Sequence, residues 1–240
     1  MEHNPPRSLE LCCGSATISS ALSAQGFDTK SLDHRKRAGV CTPDFHLDLM
    51  KVKNSPALFG KIDLVWFSPP CQCWSNAPGS YHFFEGVPQQ ESTKYLVKVL
   101  EKGLEIIEEL NPRTFIIENP RGKLRYYKKM TDFLIRNNGM IKQVMYSDYG
   151  FPTQKPTNLF TNFHSLQVSS NAKYGRGHKA PAGNLNNMTV VQRQEIPRTL
   201  AQSIAEQSAQ LFGLTTSNHS ILDEIKVEHE PTSPMETAQD

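Results

Sequence analysis

The residues best suited to chemistry lie in Ser68-Pro69-Pro70-Cys71-Gln72-Cys73-Trp74-Ser75. A strand-like run, Ile62 to Phe67, apolar without a break from Leu64 onward, ends at this segment, and its two prolines remove two backbone donors and stiffen the chain. The side chain so presented is the thiol of Cys71. A thiol is a strong nucleophile once ionised, and its ordinary pKa of about 8.5 needs only modest lowering by a positive charge or a helix N-terminus. A second segment, Ile116-Ile117-Glu118-Asn119-Pro120, sets a carboxylate at the end of another apolar run. On neighbouring strands, Cys71 and Glu118 would face one crevice. The blander alternatives are a buried unreactive cysteine and a Glu118 paired with Arg113 or Arg121.

A nucleophile beside an acid suits a ring carbon that reacts poorly by itself. Thiolate addition at carbon 6 of cytosine, aided by protonation or hydrogen bonding at N3, generates an enamine whose carbon 5 attacks a methyl group. The donor side of such chemistry has its own candidates. Glu10-Leu11-Cys12-Cys13-Gly14-Ser15-Ala16-Thr17 forms a strand-to-helix turn in which Gly14 lets a ligand approach the backbone. Asp33 follows some twenty residues later, where a carboxylate accepts hydrogen bonds from ribose hydroxyls, and Asp48 is placed to meet an adenine amino group. Singly, each is a turn or cap residue; together they point to an adenosine-containing cofactor.

These residues require an α/β fold, in which ligands bind beyond the carboxyl ends of parallel strands. Strands are predicted over Leu9–Cys12, Phe27–Leu32, Phe45–Leu49, Ile62–Phe67, Thr114–Ile117, Met140–Tyr146 and Asn158–Phe163. Helices are predicted over Ala16–Ala24, Ser92–Leu110, Met130–Arg136 and from Ile196-Pro197 to Leu211. The last two strands should be antiparallel, because their connection is too short for a crossover helix. The expectation is a mostly parallel seven-stranded sheet with an antiparallel hairpin near its C-terminal end. Residues 1–213 would form one domain, with a variable loop region over 165–192 and a disordered acidic tail over 214–240.

The chain has 240 residues, 38% hydrophobic and 21% charged, and a formal net charge of +2. That composition is globular, and no apolar run approaches the roughly 20 residues of a membrane span. The N-terminal residues carry no secretion signal, so an intracellular location is expected. Five cysteines without framework spacing read as reduced thiols, and Cys71 and Cys73 stand too close in sequence for a good zinc site, so no metal is expected. Arg121, Lys123, Arg125, Lys128, Lys129, Arg136, Lys142 and Lys155 meet only Asp132 and Asp148 over the same stretch. Such a strip suits phosphates, or is a solvated basic face.

With its glycine turn, Asp33, Asp48, Pro-Pro-Cys-Gln and Glu-Asn-Pro in this order, the chain resembles the DNA cytosine-5 methyltransferase family, most closely its compact phage members. The resemblance covers Leu9 to Phe163 and the final helix. It implies a Rossmann-like methyltransferase fold and S-adenosylmethionine bound at Glu10, Leu11, Gly14, Ser15, Asp33, Asp48 and Pro69. It also implies Cys71 as covalent nucleophile, Glu118 as the cytosine-binding acid, and DNA whose target base is flipped from the duplex. Pro70, Gln72, Ser75, Asn119, Gln154, Lys155 and Arg176 would contact the substrate. Three departures qualify these implications. Ala16 and Thr17 replace glycines of the cofactor turn, Gln154-Lys155-Pro156-Thr157 lacks the bidentate arginines of the usual Gln-x-Arg-x-Arg element, and the long recognition segment is reduced to 165–192, which contains Arg176. A flexible basic loop binds phosphates well and reads bases poorly, so relaxed specificity or a protein partner that supplies it is expected.

Three rivals remain. A methyltransferase acting on an exocyclic amine would carry an aromatic residue where Cys71 stands. An RNA cytosine-5 methyltransferase uses the same catalytic pair, and a catalytically weak binding protein could keep the same fold.

Overall fold

The computed structural model describes residues 4–35, 41–75, 82–84, 87–170 and 188–214. The strands are β1 (Arg7–Leu11), β2 (Asp28–Asp33), β3 (Phe45–His46), β4 (Leu64–Phe67), β5 (Phe83–Phe84), β6 (Val87–Pro88), β7 (Thr114–Pro120), β8 (Met140–Met145) and β9 (Pro156–Thr161). The helices are α1 (Thr17–Ala24), α2 (Ser55–Phe59), α3 (Glu91–Leu110), α4 (Lys128–Arg136), α5 (Val190–Gln194) and α6 (Arg198–Phe212).

Seven strands form one sheet in the order β3-β2-β1-β4-β7-β9-β8. β3, β2, β1, β4 and β7 run parallel, and β9 runs antiparallel to both β7 and β8. This is the expected Rossmann-like, mostly parallel seven-stranded sheet with its antiparallel hairpin. Strand order reverses between β1 and β4, so the crevice beyond Leu11 and Phe67 is the place where such sheets bind ligands.

Both faces of the sheet are covered, which explains the unbroken apolar runs of its central strands. One face packs Leu9, Val65, Phe67 and Ile117 against α3 and α4 through Leu100, Leu104, Ile107, Met130 and Phe133. The other packs Leu64, Trp66, Ile116 and Leu159 against α1 and α6 through Ile18, Leu22, Leu200 and Ile204. α3 earns its length from a buried stripe at three- and four-residue spacing and stops at Asn111, which turns left-handed at φ 43° before Pro112.

The differences from expectation have local causes. β3 ends at His46, because Asp48 turns back to accept a hydrogen bond from Met50 N at 2.9 Å and starts a tight turn over Leu49–Lys51. The helix α2 was not expected; Asn54 caps it through Ala57 N, with Pro56 in its first turn. α5 falls partly inside the region expected to be loop, and its signal was present as Thr189-x-x-Gln192, a capping box with both reciprocal hydrogen bonds formed. α6 begins at Arg198 because Pro197 holds an extended ψ of 131°. β7 runs on to Pro120 because β9 pairs with it as far as Thr157, so Glu118 and Asn119 lie within the strand. The greater part of the expected variable loop and the expected acidic tail lie outside the described residues.

Gly103 of α3 packs directly on the Phe67 ring at the end of β4. A Cβ there would sit 2.2 Å from the Phe67 ring. Gly103→Ala should therefore destabilise the protein by about 1–3 kcal/mol, the usual cost of overpacking a core, measured as a lower midpoint in urea.

Candidate active site

The segment that follows β4 is fastened from several sides. Ser68 N donates to the Leu11 carbonyl at 3.2 Å, and the Asn119 amide donates to the Pro69 carbonyl at 3.1 Å. The Cys71 carbonyl accepts from Trp74 N and Ser75 N at 3.0 and 3.1 Å, closing a turn. Ser75 then forms a bridge with Gly122, beyond β7. Cys71 is left half-buried at the cleft while Cys73 is fully buried behind it.

Parallel pairing of Phe67 with Ile117 sets Glu118 beside this segment. Glu118 is buried, and its Oε1 accepts a 2.8 Å hydrogen bond from the hydroxyl of the fully buried Tyr146. Lys155 Nζ lies 4.5 Å from the Tyr146 ring centroid. Arg113 instead covers the Phe212 ring at 4.8 Å. Burial pushes the Cys71 thiol above its ordinary value; the Glu118 charge adds to this and the Lys155 charge opposes it. The positive charge expected to activate the thiol is thus present but outweighed. Cys73 is pushed up to about 12, mainly by burial.

The cleft continues over the end of β1. Its turn holds three left-handed residues, Cys12 at φ 57°, Gly14 at φ 56° and Ala16 at φ 51°, of which only glycine adopts that conformation without strain. Asp33 fastens the turn by accepting from Gly14 N at 3.0 Å, and its other oxygen accepts from Arg35 N at 2.9 Å. Glu10 reaches the start of α1, where Ser19 donates to it from its backbone and hydroxyl at 2.7 and 2.6 Å. Burial raises this carboxyl to about 7 despite those hydrogen bonds. Farther along, Tyr95 points its hydroxyl at Asp48 at 3.4 Å, and Leu49, Leu96 and Val99 form an apolar wall. Carboxylates with lone pairs to spare, an open backbone turn and a flat apolar wall fit the ribose and adenine of an adenosine cofactor.

Of the residues expected in the site, Glu10, Gly14, Ser15, Asp33, Asp48 and Pro69 line one cleft together with Pro70, Cys71, Gln72, Glu118 and Lys155. Leu11 does not; it is fully buried in the core and meets the cleft segment only through its carbonyl. Asn119 and Ser75 hold the Cys71 segment from behind. Gln154 has its amide nitrogen buried without a partner, and Arg176 lies outside the described residues. The basic strip also divides. Lys129 and Arg136 pair with Glu101 and Glu108 of α3, Lys128 pairs with Asp132, and Lys142 donates to the His164 carbonyl. Sequence reasoning missed Tyr146, whose approach to Glu118 follows from the β7-β9-β8 pairing and carries no local signal. It also missed Tyr95, which stands beside Leu96 of the α3 stripe. Among the described residues no group of three or more His, Cys, Asp or Glu side chains could hold a metal, and no helix is long and apolar enough to cross a membrane.

The thiol's surroundings set the sign of its pH response. A raised pKa leaves Cys71 protonated at neutral pH, so alkylation by iodoacetamide should accelerate as pH rises beyond the ordinary thiol range. At pH 8.5, Glu118→Gln should speed that alkylation and Lys155→Ala should slow it, each by roughly two- to tenfold, read by mass spectrometry of the Cys71 peptide.

No protein-family model matches the chain. It is 26% identical over 167 residues, 67% of this chain and 72% of the relative, to a "Probable DNA (cytosine-5)-methyltransferase" of Frog virus 3 (isolate Goorha). Among solved structures it is similar to the Entamoeba histolytica methyltransferase EhMeth, with a TM-score of 0.47 and 14% identity over 69% of this chain and 57% of that one. The Spodoptera frugiperda DNMT2 mutant E260A/E261A/K263A gives 0.46 and 18% over 68% and 52%. The S. pombe Dnmt2 methyltransferase gives 0.47 and 15% over 75% and 58%. The chain thus spans just over half the length of these structures. The resemblance to cytosine-5 methyltransferases carried by the motifs is borne out by a sequence likeness to one of them over two thirds of the chain.

Proposed function

We propose that this protein is an S-adenosylmethionine-dependent methyltransferase acting on carbon 5 of cytosine in DNA. The observation that carries the proposal is the half-buried Cys71 thiol sharing one cleft with the buried Glu118 carboxyl. DNA is preferred to RNA because the Frog virus 3 relative bears a DNA methyltransferase name.

In this mechanism Cys71 gives up its proton to solvent and its sulfur bonds to carbon 6 of the base. The ring electrons shift toward N3, where Glu118 supplies a proton or a hydrogen bond, and carbon 5 becomes nucleophilic. The Tyr146 hydroxyl occupies one Glu118 oxygen and leaves the other for the base. Lys155 favours the thiolate that addition requires. Glu10, Gly14, Asp33 and Asp48 would hold S-adenosylmethionine, whose sulfonium-bound methyl group would pass to carbon 5 with the thioether as leaving group. Loss of the carbon 5 proton then lets the Cys71 sulfur leave, restoring the ring. A base buried this way must leave its stack first. With the segment before the final helix reduced to residues 165–192, sequence choice is relaxed or comes from a protein partner.

Fluorine at carbon 5 cannot leave as a proton does, so DNA containing 5-fluorocytosine should trap the protein covalently when S-adenosylmethionine is present. The wild type and Cys73→Ser should form the adduct, Cys71→Ser should not, and Glu118→Gln should slow it by about 10²-fold or more. Absence of an adduct in protein shown to bind the cofactor would contradict the mechanism. An RNA oligonucleotide trapped faster than DNA would overturn the choice of polymer.

A further inference from the structure

Two pairs of adjacent aromatic residues flank the Cys71 segment, and each divides in the same way. In Phe83-Phe84, Phe83 packs on the buried Trp74 at a centroid distance of 5.3 Å, whereas Phe84 turns outward and is 62% exposed. In Tyr126-Tyr127, Tyr127 packs on the same Trp74 at 5.0 Å, whereas Tyr126 is 72% exposed. Trp74 lies three residues after Cys71 and is tied to its carbonyl. Both exposed rings are therefore anchored, through their inner neighbours, to the residue that holds the nucleophile's turn.

Single exposed rings are ordinary on protein surfaces. These two are accompanied by unneutralised charge. The Arg125 guanidinium lies over the Tyr126 ring at 4.6 Å, and among the described residues neither Arg125 nor Arg121 has a carboxylate partner. Rings open on one face beside cations without carboxylates match the chemistry of unpaired nucleotides: bases stack on the rings and phosphates meet the cations. A duplex offers the phosphates but keeps its bases out of reach.

We infer that Phe84 and Tyr126, with Arg121 and Arg125, form a stacking platform for unpaired nucleotides beside the target base, and that the protein acts on single-stranded or locally opened DNA. The inference rests on the proposed nucleic-acid substrate, but the platform itself binds without chemistry. It also relieves an energetic difficulty, because extruding a base costs least where the strand is already unpaired.

Fluorescence anisotropy tests it with the full chain and a labelled cytosine-containing 20-mer, single-stranded or as a duplex. The wild type should prefer the single strand. Tyr126→Ala and Phe84→Ala should each weaken that binding by about five- to hundredfold, Tyr126→Phe should retain it, and the distant exposed Ile135→Ala should leave it unchanged. Unaltered melting temperatures identify a surface effect. Equal affinity of the Phe84→Ala/Tyr126→Ala double variant and the wild type for the single strand overturns the platform. So does a loss of self-association, seen by sedimentation, with oligonucleotide binding intact, which assigns the rings to a protein contact. A wild type that binds DNA yet forms no 5-fluorocytosine adduct leaves the platform standing and refutes the methyl-transfer chemistry instead.

Discussion

The parallel pairing of β4 with β7 is the constraint on which the site depends. It brings Phe67 level with Ile117, so the segments beyond the two strands must emerge side by side. Asn119 locks the pairing in place through the hydrogen bond from its amide to the Pro69 carbonyl, while its own side-chain oxygen stays buried without a partner. Cys71 and Glu118 thus meet across a rigid frame, with little left to side-chain flexibility.

The frame also sets the electrostatics. Burial raises Cys71, Glu10 and the phenol of Tyr146, so these three groups favour their protonated forms. Lys155 is the cation that opposes this at the thiol, held over Tyr146 and Phe151. A resting thiol is inert to chance electrophiles, and ionisation is coupled to whatever changes the charge or solvation beside Glu118. The turn after β1 carries a different stress, since Cys12 and Ala16 are bent into left-handed geometry around Gly14 and fastened there by Asp33.

The central strands β4 and β7 and the long helix α3 can be read from the sequence because their signals are local: the apolar runs Leu64–Phe67 and Phe115–Ile117 for strands covered on both faces, and a three-four stripe for α3. The central pair is also readable, because Pro-Pro stiffening and the strand ends are properties of short segments. What cannot be read this way arises from pairing between distant parts. Tyr146 reaches Glu118 only because β9 lies between β7 and β8, and Glu101 and Glu108 neutralise Lys129 and Arg136 only because α3 lies against α4. Leu11 failed as a cleft residue for the opposite reason: strand alternation, applied strictly, turns it into the core.

In the proposed mechanism, Cys71 bonding to carbon 6 is the step from which everything else follows, and its most direct measure is release of tritium from carbon 5 of cytosine. Addition activates that carbon, and the hydrogen it bears is lost to water when the adduct resolves. With [5-³H]cytosine in DNA and S-adenosylmethionine present, tritium release should accompany methyl transfer in the wild type and in Cys73→Ser and vanish in Cys71→Ser. Release that survives in Cys71→Ser, or methyl transfer without release, would contradict a covalent role for this thiol.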